Sequence, residues 1–159
     1  MKIKKIESYP IFCFTTKAKI SDLNAITSEI PQGLFQELEQ TESVAVGPIS
    51  FIYHGMDGNL ATTFDLDIAI PVDKIVGAYQ GQYLFKNLTP LKCISYDHFG
   101  SWNDIAKAYE KISYFAMNSR HILNFECREV YQNIQTAKDE KQKRFDNPDN
   151  MTEIQMGIQ

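Results

Sequence analysis

Pro90-Leu-Lys-Cys-Ile-Ser-Tyr-Asp-His-Phe-Gly-Ser-Trp102 decides the fold, because an earlier stretch repeats its outline. Pro10-Ile-Phe-Cys-Phe-Thr15 lines up with Pro90-Leu-Lys-Cys-Ile-Ser95. Both are short apolar, β-branched or aromatic runs after a proline and read as strands, the second reaching Phe99. Ser21 then falls on Ser101, and a helix follows each in register. Ser21 and Asp22 offer N-caps to the first, whose Leu23, Ile26, Ile30, Leu34 and Leu38 keep helical spacing. Pro31 inside that pattern predicts a kink or break near Ile30. In the second helix, opened by Gly100-Ser101 and closed by Asn118-Ser119, Trp102, Ile105, Ala106, Tyr109, Ile112 and Ala116 form one stripe. Asp65-Leu-Asp-Ile-Ala-Ile70 lines up with Glu153-Ile-Gln-Met-Gly-Ile158. Each half therefore reads strand, helix, strand, strand. The expected fold is α+β: duplicated strand-helix-strand-strand units, an antiparallel sheet with two main helices, and a central groove. It forms one domain over residues 1–159, with repeats at about 8–75 and 88–159. Interfaces between such units are common ligand sites.

The remaining segments fill in that outline. Ser43–Tyr53 reads as a strand bent at Gly47-Pro48. His54–Gly58 is turn chemistry joining it to a Thr63–Pro71 strand as a hairpin. Gly77–Lys86 reads as a linker with a short strand. Phe125–Tyr131 alternates and reads as a strand. Ala137–Asp149 is charged and reads as a solvated loop; its Lys138-to-Arg144 run mixes signs, unlike a nucleic-acid patch. Met151–Gln159 closes the chain as a strand.

Length and composition narrow the class. A chain of 159 residues gives about one domain, able to bury roughly 70% of its unfolded surface without disulfides or metals. Lys and Arg number 16 against 20 Asp and Glu, a net charge of −4, so nucleic acid is a poor default partner. Eight Tyr, ten Phe and one Trp are many for this length, and aromatic side chains wall pockets as well as cores. Cys13, Cys93 and Cys127 are widely spaced and odd in number, which reads as reduced buried thiols in a cytoplasmic protein. His54, His98 and His121 lack metal-ligand spacing, so no metal is expected. Nor does a P-loop, GxSxG or dinucleotide fingerprint point to a cofactor, and none is expected. Glu7, Ser8 and Pro10 interrupt any signal-peptide core, and no stretch is long and apolar enough for a membrane span.

Glu129 is the residue to single out. Alternation in Cys127-Arg-Glu-Val-Tyr131 puts Cys127, Glu129 and Tyr131 on one face, with Arg128 and Val130 on the other. Pattern alone leaves open which face is the core. If the glutamate is inside, its carboxylate must be paired, hydrogen-bonded or protonated. Such a group attracts a cation or serves as a general acid or base; an exposed or Lys/Arg-paired strand glutamate is the plainer reading. Trp102, Tyr109 and Tyr96 cluster at one strand–helix junction, where aromatic faces suit flat or cationic ligands or simply fill the core. Tyr53 and Phe64 on the first hairpin carry the same ambiguity.

Together these segments resemble the GyrI-like family, the small-molecule-binding domain found alone in gyrase-inhibitory proteins and as the effector-binding domain of AraC-type and MerR-type regulators. Gly47-Pro48…Phe51-Ile-Tyr53-His resembles its Gly-Pro…Tyr strand. Phe64–Val72 resembles its strand ending Ile-Pro-Val, His98-Phe-Gly-Ser-Trp102…Tyr109 its entry to the second helix, and Arg128-Glu-Val-Tyr131 its Glu-x-Tyr strand. Thr152–Ile158 fits the last strand, without the usual following proline. The order and spacing of the five pieces carry the likeness, which covers nearly the whole chain. The resemblance implies a bacterial, cytoplasmic protein with a SOUL-like fold. It also implies multidrug-type binding, in which Glu129 meets lipophilic cations within an aromatic pocket. Trp102 stands where the family has Tyr, keeping an aromatic wall but losing a hydroxyl.

The expected function is that of a stand-alone binding protein for lipophilic, cationic small molecules. Glu129, Trp102, Tyr109, Tyr96, Tyr53 and Tyr131 are the ligand-binding candidates. The alternative is a hydrolase acting on electrophilic molecules in the same pocket, with Glu129 and Tyr109 as the catalytic pair. A third reading, a protein-interaction module that contacts gyrase or a regulator, ranks last because the acidic excess is modest. No helix-turn-helix segment lies in the sequence, so any regulation is expected to run through ligand sequestration or protein contact. Free strand edges such as Leu91–Phe99 offer a route to a homodimer.

Overall fold

Alternation along the strands sends one row of apolar side chains beneath the helices and a second row to the far face of the sheet. The computed structural model describes residues 1–143 and 145–159. In chain order the elements are β1 (Lys2–Ile6), β2 (Pro10–Ala18), α1 (Leu23–Leu38), β3 (Ser50–His54), β4 (Phe64–Pro71) and β5 (Leu84–Asn87), then β6 (Leu91–Phe99), α2 (Ile105–Asn118), β7 (Leu123–Tyr131), α3 (Ala137–Gln142) and β8 (Met151–Ile158). The eight described strands form one antiparallel sheet in the order β1-β6-β8-β7-β3-β4-β2-β5.

That order reads alike from both ends, with β6, β8 and β7 matching β2, β4 and β3. The register agrees with the sequence alignment. Phe14 faces Ile68 across β2 and β4, and their aligned partners, Ile94 and Met156, face each other across β6 and β8. The two units meet where Ile52 of β3 pairs with Arg128 of β7. The edge strands lie outside the repeats: β1 completes the second unit, and β5 completes the first.

Both helices pack on the same face. Their C-terminal halves seal it with buried Leu34, Phe35 and Leu38 from α1 and Ile112 and Ala116 from α2. Their N-terminal halves, with Leu23, Ile26, Ile105 and Tyr109, are only partly buried, and a groove opens there. Each helix is entered through a 3-10 turn, Ile20–Asp22 or Trp102–Asp104. Gly100 adopts φ +98, a left-handed turn that a side chain resists, and Ser101 then accepts from the Asn103 N–H at 3.1 Å.

The far face holds a small apolar cluster of Ile11, Cys13, Ile52, Ala69 and Leu88. Beside it runs a charged ladder. Lys86 Nζ lies 2.7 Å from Asp67, Asp67 3.3 Å from His54, His54 3.8 Å from Glu126, and Glu126 2.6 Å from Arg128. Arg128 is 1% exposed and also donates to the Thr89 carbonyl at 2.7 Å.

Several expectations are corrected. The helix over Pro31 does not break: α1 is continuous, because burial of Leu34, Phe35 and Leu38 beyond the proline outweighs the lost hydrogen bond. Ser21 does not cap it; instead Asp22 accepts from the Lys19 N–H at 2.8 Å. The strand expected from Ser43 begins at Ser50, with only a lone bridge from Ala45 to Val72 before it. Ala137–Gln142 is a short helix capped by Thr136, not loop; Arg144, at the end of the charged run, lies outside the described residues. Leu91–Phe99 is not a free edge along its whole length: β1 covers Leu91–Ser95, and only Tyr96–Phe99 pair with β8 alone. The strand Lys2–Ile6 carried no distinct signal, being basic and short.

Candidate functional site

β3 and β7 lie side by side at the centre of the sheet, so alternation brings Phe51 and Tyr53 from one and Cys127, Glu129 and Tyr131 from the other onto the helix-side face. This settles the question the pattern left open. Glu129 is inside, 6% exposed, and Arg128 is buried on the opposite face.

Three phenols converge on the Glu129 carboxylate. Tyr53 donates to Oε2 at 2.9 Å, Tyr131 to Oε2 at 2.7 Å, and Tyr109, reaching down from α2, to Oε1 at 2.6 Å. A carboxylate offers about four lone-pair positions; three are filled, and one on Oε1 remains. Tyr109 spends its single proton on Glu129, so its 3.1 Å contact with Cys127 Sγ has the thiol as donor. Burial, reinforced by the neighbouring carboxylate, raises Tyr53 and Tyr131 well above the usual phenol range. Tyr109 rises likewise, through burial and then Cys127 and Glu129. Burial pushes the Cys127 thiol up as well. All four therefore stay protonated and neutral at ordinary pH. Among the described residues no Lys, Arg or His forms an ion pair with Glu129.

Two lobes of the groove meet over this carboxylate and share Tyr53, Glu129, Ile20, Leu23 and Ile105. The first, about 580 Å³, is walled by Phe51, Trp102, Tyr131 and Phe145. Its rings stack edge to face: Trp102 on Tyr131 at 5.1 Å, Trp102 on Phe145 at 5.6 Å, and Phe51 on Tyr131 at 5.2 Å between centroids. Trp102 Nε1 donates to Thr152 Oγ1 at 3.0 Å, fixing the indole plane. The second lobe, about 690 Å³, is lined by Tyr109, Cys127, Phe125, Met56 and Met156. Both volumes suit a small organic ligand.

Five of the six residues singled out in the sequence meet here: Glu129, Tyr53, Tyr109, Tyr131 and Trp102. Tyr96 does not. It borders neither lobe, and its hydroxyl accepts from Lys111 at 3.3 Å. Phe64 packs behind Tyr53 at 5.7 Å. Sequence reading missed Phe51, Ile20 and Phe145 as wall residues. Two-residue spacing from Tyr53 was a signal for Phe51, whereas Phe145 sits in a charged segment with no pattern to mark it.

Comparison with known proteins places the architecture. No family model and no curated protein matches the chain. Solved structures do. The crystal structure of the EcmrR C-terminal domain is similar over 99% of this chain and 96% of that one, with 18% identity and a TM-score of 0.77. EcmrR in a cryo-EM complex with DNA matches at a TM-score of 0.79 and 17% identity; this chain, 99% covered, spans 56% of that longer one. SAV2435 bound to tetraphenylphosphonium matches at 0.62 with 12% identity, over 99% of this chain and 93% of that one. At such identities the likeness establishes the shared α+β fold.

Proposed function

We propose that the chain is a GyrI-like binding domain for lipophilic cations, with Glu129 supplying the charge and the aromatic lobes supplying the contact area. One observation carries the reading. A buried carboxylate faces an aromatic cavity with only neutral donors around it and no cation paired to it among the described residues. A desolvated cation beside that carboxylate gains far more than it would in water, and the ring faces add cation–π attraction. That SAV2435, a protein of similar fold, holds tetraphenylphosphonium supports the same ligand class. The domain boundaries at 1–159, with repeats at about 8–75 and 88–159, belong to this proposal, as does a role in sequestering such ligands. No particular observation favours the hydrolytic alternative.

Thermal shift with tetraphenylphosphonium, neutral triphenylphosphine oxide and anionic tetraphenylborate tests it in wild type and Glu129→Gln. At about 100 times its Kd the cation should add roughly 2.7 kcal/mol. The neutral compound and the anion should do little, and the variant should lose the cation's effect. Equal shifts from all three compounds, or an unchanged shift in the variant, would overturn the proposal.

A further inference from the structure

The two lobes differ in charge. Lys141, Lys143 and Glu140 line the first. Asp57, Glu110 and Glu126 line the second, with no Lys or Arg among its described residues. These carboxylates are not equally available. Glu126 is held from behind by Arg128 at 2.6 Å and by His54 at 3.8 Å. Asp57 accepts from the Asn59 N–H at 2.9 Å and the Thr62 hydroxyl at 3.1 Å, which fixes its turn. Glu110 follows Tyr109 on α2 and makes no ion pair among the described residues. Lys107, whose charge Glu110 also feels, bonds Asp104 at 2.6 Å, and Lys111 donates to the Tyr96 hydroxyl at 3.3 Å.

The groove therefore has a buried carboxylate, Glu129, where its lobes join, and a solvent-exposed one, Glu110 of α2, lining the second lobe. The same lobe is lined by apolar Phe125, Met156 and Leu123 and by Cys127. The first lobe, with two lysines at its rim, disfavours another positive charge. We propose that the preferred ligand is an elongated dication: two cationic groups separated by an apolar spacer, one at Glu129 and the other at Glu110. This rests on the cation-binding reading above and adds direction to it. The ligand lies along the second lobe, and any aromatic substituent on its central cation turns into the first.

Matched probes separate the two claims. Decamethonium carries two trimethylammonium groups on a ten-carbon chain; decyltrimethylammonium carries one on the same chain. Calorimetric titration of the full chain should show decamethonium binding one to one and more tightly. Glu110→Gln, on an exposed helix surface, should weaken decamethonium about three- to fivefold, the scale of a solvent-facing ion pair, and leave the monocation unchanged. Glu129→Gln should weaken both. The dication proposal is overturned if the two probes bind equally, or if Glu110→Gln affects both or neither. In those cases binding of the monocation still upholds the cation-binding reading. If neither probe nor tetraphenylphosphonium binds, both proposals fall. Matching melting temperatures of wild type and Glu110→Gln without ligand establish that the variant is folded.

Discussion

Glu129 is held by donors of unequal flexibility, and this determines which substitutions it tolerates. In Glu129→Gln the amide oxygen can keep the Tyr53 and Tyr131 bonds, since both meet Oε2. The amide nitrogen then faces Tyr109, which can reverse its role: it accepts from the amide and donates to Cys127 Sγ, 3.1 Å away. The variant should fold, losing about 1–2 kcal/mol. Adding Tyr109→Phe removes the only phenol able to accept, strands the amide and leaves the thiol unpaired. That second change should cost about a further 1–3 kcal/mol, and denaturant midpoints of the single and double variants measure the coupling.

At the scale of elements, α1 carries a conflict that burial resolves. Pro31 offers no N–H to the Thr27 carbonyl, and proline inside a helix costs about 3 kcal/mol relative to alanine. Its ring is buried against the groove, but truncation to alanine removes only roughly 1 kcal/mol of apolar burial. Pro31→Ala should therefore stabilise the protein by about 1–2 kcal/mol, read as a raised melting temperature. The same conflict explains where the sequence could be read and where it could not. Apolar, β-branched runs bounded by turn residues marked β4, β6 and β8 almost to the residue, and the α2 stripe marked its helix, because local pattern and tertiary burial agree there. Local chemistry misled at Pro31 and at Ala137–Gln142, where packing and the Thr136 cap decided. The alternating face of Cys127, Glu129 and Tyr131 was legible. Its direction was not, since Arg128 is buried too, held through Nε and Nη2 by Glu126 and a backbone carbonyl contributed from the distant residue Thr89. Tyr96 misled because neighbouring a helix junction in sequence does not make a side chain face the groove.

For the whole molecule, the charged ladder on the far face ties strands β5, β4, β3 and β7 together and makes stability depend on pH at both extremes. Hydrogen bonds to Asp67 and Glu126 raise His54 from 6.5 to about 9. Its stabilising contribution is complete below pH 6.5 and is lost as the pH rises through 9. Burial alone would raise Asp67, but the hydrogen bonds from His54, Lys86 and Thr15 outweigh it and hold it at about 2 instead of 3.8. Its contribution is present above pH 3.8 and is lost as the pH falls through 2. Melting temperatures measured across this range should decline at both ends; His54→Gln should flatten the alkaline limb and, by removing a cationic partner that helps hold Asp67 down, make the acid limb shallower. An alkaline limb of equal depth in the variant would remove His54 as its source.

The register that pairs the two units also makes Tyr53 and Glu129 counterparts: Tyr53 faces Leu66, Glu129 faces Ile154, and Leu66 aligns with Ile154. Two separate identical subunits joined at this seam would be bound to repeat themselves, setting either two acids or two phenols across the axis. The paired acids would repel each other, and the paired phenols would offer no charge. Joining both units in one polypeptide lifts that obligation. One position can become the acid while its mirror position becomes the hydroxyl that steadies it, so a nearly symmetric scaffold acquires a front and a back.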